Sequence, residues 1–224
     1  MQPIEREGAS IMMVGSFNPS IFQPHWLATK GLIRTEEAEA ATIAIIQEQV
    51  ADFKTEWFQM QVLQNRFLIH TLDATHYSPV RDLAAGIFSL LSHTPISRIV
   101  IGRAFHFKME STDDWHRVGN ALAPKEFWNP LIDLAGLRSM TIQGRRKGVD
   151  DGLLFVKTEP SVPVKDGVFI EVTEEHKLSE GDEANAEWVP VRLNKHWDAM
   201  MEYAEDVARG LLREVHKHAR SDGK

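Results

Sequence analysis

The chain has 224 residues, 43% of them apolar and 25% charged, with a net charge of −7 and no cysteine. Ordinary globular usage of this kind argues against disorder, collagen-like repeats and a long coiled coil. The missing cysteines exclude disulfides, thiolate metal sites and cysteine nucleophiles, and the acidic balance argues against a general nucleic-acid coat. No stretch approaches the ~20 apolar residues of a membrane span. Residues 1–8 hold two acids, one arginine and no apolar signal core. We therefore expect no secretory peptide and a cytoplasmic location.

The spacing predicts a short buried strand over residues 11–14. Asn18-Pro19 is a cap-and-proline pair that opens a helix over 19–29, with Pro24 making its second turn irregular. Strands follow at 42–53, 57–63 and 66–72, the last two joined by a turn at Gln64-Asn65. Ser78 before Pro79 reads as the cap of a helix over 79–92 whose apolar face holds Val80, Leu83, Ala84, Ile87, Phe88 and Leu91. A strand at 98–108 sets Ile99, Ile101 and Arg103 against Val100, Gly102, Ala104 and His106. Ser111, Asp113 and Asp114 open a helix over 112–122, which Pro124 stops. Strands at 138–144, 153–158 and 168–172 precede an acidic loop at 179–186. The last helix is predicted over 194–218 with Asn194 as its cap. Trp197, Met200, Met201, Ala204, Val207, Ala208, Leu211, Leu212 and Val215 form one apolar stripe on it.

Each half of this order reads strand, helix, three strands, helix. The expectation is an α+β fold in one domain, 1–224, built from two structural repeats at about 11–92 and 98–218. That order resembles the duplicated saddle of the TATA-box-binding-protein fold. The resemblance implies a curved antiparallel sheet with two long helices on one face and the other face free to bind. The stretch from Asn65-Arg66-Phe67 past Tyr77 to Ser97-Arg98-Ile99-Val100-Ile101-Gly102 also resembles an uncharacterised bacterial protein family. That resemblance implies no established activity.

Ten histidines invite a search for metal ligands. His70, Asp73 and His76 have convergent spacing on a helix, but they lie where a strand leaves the sheet, so a solvated strand exit is expected and no metal. His106 and His116 flank Glu110, Asp113 and Asp114, acids that belong to a capped first turn. His216 and His218 read as solvated cations at a helix end. No zincin, serine-hydrolase elbow or phosphate-loop motif occurs. No catalytic residue and no cofactor are therefore assigned.

Two groups remain as binding candidates. Arg145, Arg146 and Lys147 form the one basic run, expected on an exposed strand end, where three cations can hold a phosphate or an acidic partner. Among six tryptophans, Trp26, Trp115 and Trp197 fall at helix starts as core anchors, and Trp57 leads a strand. Trp128 and Trp188 lie in irregular segments beside prolines, where tryptophan can anchor an interface. The expected function is a non-catalytic protein-binding subunit or adaptor of a bacterial complex, with a homo-oligomer left open. The alternatives are a small-ligand-binding module with a cavity between the sheet and the C-terminal helix, lined by Met200, Met201 and tryptophans, and a metal-dependent enzyme using His and Asp.

Overall fold

Two long strands from opposite halves of the chain pair at the centre of the sheet. β1 (Ile4–Gly15) runs antiparallel to β6 (Ile96–Lys108), with Ile11 opposite Ile101 and Met13 opposite Ile99. These contacts come from a computed structural model that describes residues 2–147, 149, 152–177 and 185–221. Around the central pair stand β2 (Thr42–Gln47), β3 (Val50–Lys54), β4 (Gln59–Leu63), β5 (Arg66–Thr71), β7 (Met140–Gly144), β8 (Leu153–Pro160) and β9 (Gly167–Lys177). The nine strands form one open antiparallel sheet in the order β2-β3-β4-β5-β1-β6-β9-β8-β7.

The helices are α1 (Pro24–Thr29), α2 (Thr35–Glu39), α3 (Tyr77–Leu90), α4 (Thr112–Leu122) and α5 (Trp188–Ser221). α3 packs on β1 and β5, α5 packs on β6 and β9, and the two helices touch each other. Alternation along each strand then sends Ile11, Met13, Phe67, Ile69, Phe105 and Ile170 toward them, all fully buried. Phe17, Phe22, Phe67 and Phe88 close one end of this layer with ring centroids 5.0–6.4 Å apart. Among the described residues, no helix covers the other face. Its central cross-strand row includes Gln59, His70, Ser10, Gly102, Thr173 and Phe155. Gly102 has no room for a side chain, since a Cβ would stand 2.8 Å from Ser10 Oγ.

Several boundaries differ from the sequence expectation, each for a local reason. β1 and β9 are longer than their apolar cores, because pairing with β6 carries polar residues such as Glu7 and Glu175 into the sheet. The stretch 42–53 is a hairpin, β2 and β3, that turns at Glu48-Gln49. Pro24 starts α1 after a 3₁₀ turn at Pro19–Ile21, so the expected single helix over 19–29 is two pieces. Ser78 is no cap. The chain enters α3 through a 3₁₀ turn whose cap, Asp73, accepts from the Thr75 amide. α5 begins at Trp188 and runs through Asn194, which is an exposed helical residue and not a cap. Pro190 is tolerated in its first turn, where no amide is needed. Residues 179–184 of the expected acidic loop lie outside the described residues.

A charged group, Arg103, sits inside the helix-facing layer. Arg103 of β6 bonds Glu7 of β1 at 2.6 Å, Glu205 of α5 at 3.0 Å and the Met201 carbonyl at 2.7 Å. Its guanidinium also lies over the Tyr77 and Phe105 rings. The side chain is only 11% exposed, so these partners replace its lost hydration.

Two outcomes follow for stability. Leu212 is buried whereas Leu211 is half-buried, so Leu212→Ala should cost about 2–5 kcal/mol in a urea unfolding experiment. Leu211→Ala should cost less. Equal midpoints would mean that α5 does not dock through Leu212. Burial and the Glu7 carboxylate push the Tyr77 phenol up to about 12, against the opposing pull of Arg103. The folded state therefore holds this proton more tightly than the unfolded chain. The stabilisation is complete below about pH 10 and is lost as pH rises toward about 12. Phenolate absorbance should show a late-titrating component that Tyr77→Phe removes, and the wild type should lose more stability than the variant across that range.

Candidate functional site

β9 places Glu174 and His176 two residues apart, so both point to the helix side of the sheet. Their cross-strand neighbours there are apolar, Ile101 and Leu154 beside Glu174 and Ile99 beside His176. His196 of α5 comes down onto the same place, its ring centroid 4.1 Å from that of His176. Glu174, His176 and His196 are 1–2% exposed. Arg146 reaches in from the chain after β7. Its Nε and Nη2 donate to the two Glu174 oxygens at 3.0 and 3.2 Å, and its guanidinium lies 5.9 Å over the Tyr203 ring. Glu174 Oε2 also stands 3.2 Å from His176 Nε2.

Gly152 closes the cluster from the β8 side. Its φ of +119° is glycine territory, and a Cβ there would fall 3.1 Å from His176 and 3.2 Å from Glu174. One ligand atom each from Glu174, His176 and His196 lie within 4.8 Å of one another. Among the described residues, no other group of three such side chains meets that test.

This arrangement alters the reading of the basic run. Arg145 and Lys147 are exposed, but the Arg146 guanidinium is turned inward and is 10% exposed. It is a structural ion-pair partner, so only Arg145 and Lys147 of the three expected surface cations face solvent. No sequence signal marked Glu174, because it stands in an acidic run with Glu175, and strand alternation alone does not say which side is covered.

The other candidates are dispersed. His76 pairs with Asp73 at 2.9 Å and stacks on Trp57, closing the turn into α3. His70 lies on the uncovered sheet face, where burial lowers its pKa. His106, on that same face, meets Ser161 Oγ at 2.8 Å. His116 is exposed on α4. His216 is half-buried and reaches the α4 Asp114 carboxylate at 3.2 Å, tying α5 to α4 instead of standing free in solvent. Met200 and Met201 are buried core residues, 0% and 8% exposed.

A second feature stands at the surface after α4. A 3₁₀ turn at Lys125–Phe127 continues into bonds from the Leu131 and Ile132 amides to the Trp128 carbonyl. This compact segment exposes Phe127, Trp128, Leu131, Ile132 and Leu134, the last fully exposed at a φ of +55°. Beside it, a cavity of about 280 Å³ opens between α4 and β8, walled by Trp115, Val118, Leu134, Leu137 and Val168, with Lys125 at its lining. Trp188 is also part-exposed, with Val191 one helical turn on.

The chain matches no protein-family model and no curated protein in sequence. No helix among the described residues is long and apolar enough to cross a membrane.

Arg146 and Arg145 should respond very differently to truncation. Arg146→Ala strands the Glu174 charge in an apolar layer and should cost about 3–5 kcal/mol in denaturant unfolding. Arg145→Ala should stay within about 0.5 kcal/mol of wild type. Similar small losses for both would place the Arg146 side chain in solvent.

Proposed function

We propose that the chain is a non-catalytic protein-binding subunit or adaptor of a cytoplasmic complex, and that its docking surface is the turn at residues 127–134. The observation that carries this reading is the exposure of five large apolar side chains on one hydrogen-bonded turn. Scattered apolar residues are normal on a protein surface, but a contiguous set marks an interaction site. Trp128 supplies the kind of anchor that dominates interface energetics. The cavity beside the turn offers a receptor for an apolar side chain of the partner. The uncovered sheet face is a weaker candidate, since it mixes Gln59, His70, Thr173 and Glu175 with apolar residues and has no comparable cluster.

We also infer that the two halves of the chain are repeats of a saddle-like fold. Supporting this, β1 and β6 occupy equivalent central places, β5 flanks one as β9 flanks the other, and α3 and α5 each close a half. The extra strand β2 would then be an addition to the first repeat.

A photo-reactive amino acid placed at position 128 tests the docking surface. The same probe at Thr173 reports on the uncovered sheet face. The expected result is a crosslink from position 128 to a different protein, abolished by Leu131→Ser and unchanged in urea midpoint. Crosslinks only between two copies of this chain would overturn the adaptor reading. Crosslinks confined to position 173 would move the docking surface to the sheet.

A further inference from the structure

We propose that Glu174, His176 and His196 bind a single divalent transition-metal ion of the zinc class. Three polar side chains meet at 1–2% exposure, with apolar cross-strand neighbours Ile99, Ile101 and Leu154. The Arg146 guanidinium answers the charge of Glu174, and beside that carboxylate two imidazoles stand with ring centroids 4.1 Å apart, tilted 38° to each other. A neutral imidazole carries one lone-pair nitrogen, and two such nitrogens with one carboxylate oxygen form a donor set for zinc, cobalt or nickel. Calcium and magnesium want oxygen ligands and are disfavoured.

The distances allow it. One donor atom from each residue lies within 4.8 Å of the others, and the Glu174–His176 pair is already at 3.2 Å. Tetrahedral bonds of about 2.0–2.1 Å set donors roughly 3.3–3.4 Å apart, so donors nearer the outer separation move inward on loading. The three protein ligands leave one tetrahedral position for water. The scaffold is rigid, because two ligands sit on a strand paired on both sides and the third on the longest helix. Gly152 adopts a φ of +119° and lets the backbone come close to the site, where a Cβ would crowd His176 and Glu174 at 3.1–3.2 Å.

Charge sets the terms of binding. The cation and the Arg146 guanidinium act on the same carboxylate, so each can compensate the other's absence. The metal would also clamp β9 to the first turns of α5, so loading stabilises the fold.

The test uses zinc chloride and cobalt chloride with the full chain, stripped by chelator and repurified. Wild type should retain about one equivalent of zinc after gel filtration, and the cobalt form should show the intense visible bands of four-coordinate cobalt. His176→Gln with His196→Gln should abolish both, whereas His116→Gln, a change at an exposed histidine, should abolish neither. Zinc should raise the melting temperature of Arg146→Ala by more than that of wild type, because the ion replaces the missing positive charge. If the double-histidine variant does not fold, the cobalt spectrum and the Arg146→Ala melt still decide the matter. Zinc retained equally by the double variant would assign binding to surface histidines and overturn the proposal. Failure of wild type and Arg146→Ala alike to bind either ion would also overturn it.

Discussion

The pairing of β1 with β6 is the constraint on which the rest of the structure depends. These strands begin about 90 residues apart in sequence, and joining them carries a loop-closure cost that local contacts do not repay. Once they are joined, every other strand adds outward from a strand already in place. The strand period of two then puts Ile11, Met13, Ile99 and Ile101 on one side together, and α3 and α5 have one surface to cover. A one-residue slip at the centre would turn all of these side chains to the uncovered face. Gly102 suits this register, since a Cβ there would press on the Ser10 and Thr173 side chains at 2.8 and 3.0 Å.

Two polar groups interrupt the apolar layer under the helices, and they have a common logic. Arg103 joins β6 to β1 and α5, while the Glu174 cluster joins β9 to α5 and to the chain after β7. Both lie along the contact of α5 with the sheet. A buried ion pair contributes less to stability than its geometry suggests, because desolvation offsets the attraction. What it does supply is register. An apolar stripe tolerates sliding by a turn, whereas Arg103 bonded to Glu205 and the Met201 carbonyl does not.

The surface divides by contrast into a mixed sheet face and an apolar turn. Charged and amide side chains among the apolar ones keep the uncovered face compatible with water. The segment after α4 lacks that protection. Its apolar residues Phe127, Trp128, Leu131, Ile132 and Leu134 fall on the connection from α4 to β7 and stand exposed.

Periodicity and capping in the sequence were enough to mark α4 with its Ser111 cap, the apolar stripe of α5 and the two faces of β6. These are local patterns, and local physics decides them. The hairpin inside 42–53 and the start of α5 at Trp188 were not legible, because tertiary pairing overrides weak turn and cap signals there. Of the binding candidates, Trp128 stands exposed, while Arg146 is turned inward on Glu174. The Glu174, His176 and His196 cluster was invisible in sequence. His196 stands 20 residues beyond His176, on a different element, and strand alternation does not reveal which face a distant helix will cover. Only the docking of α5 on β9 brings the two imidazoles together, because proximity between separate elements is a property of packing.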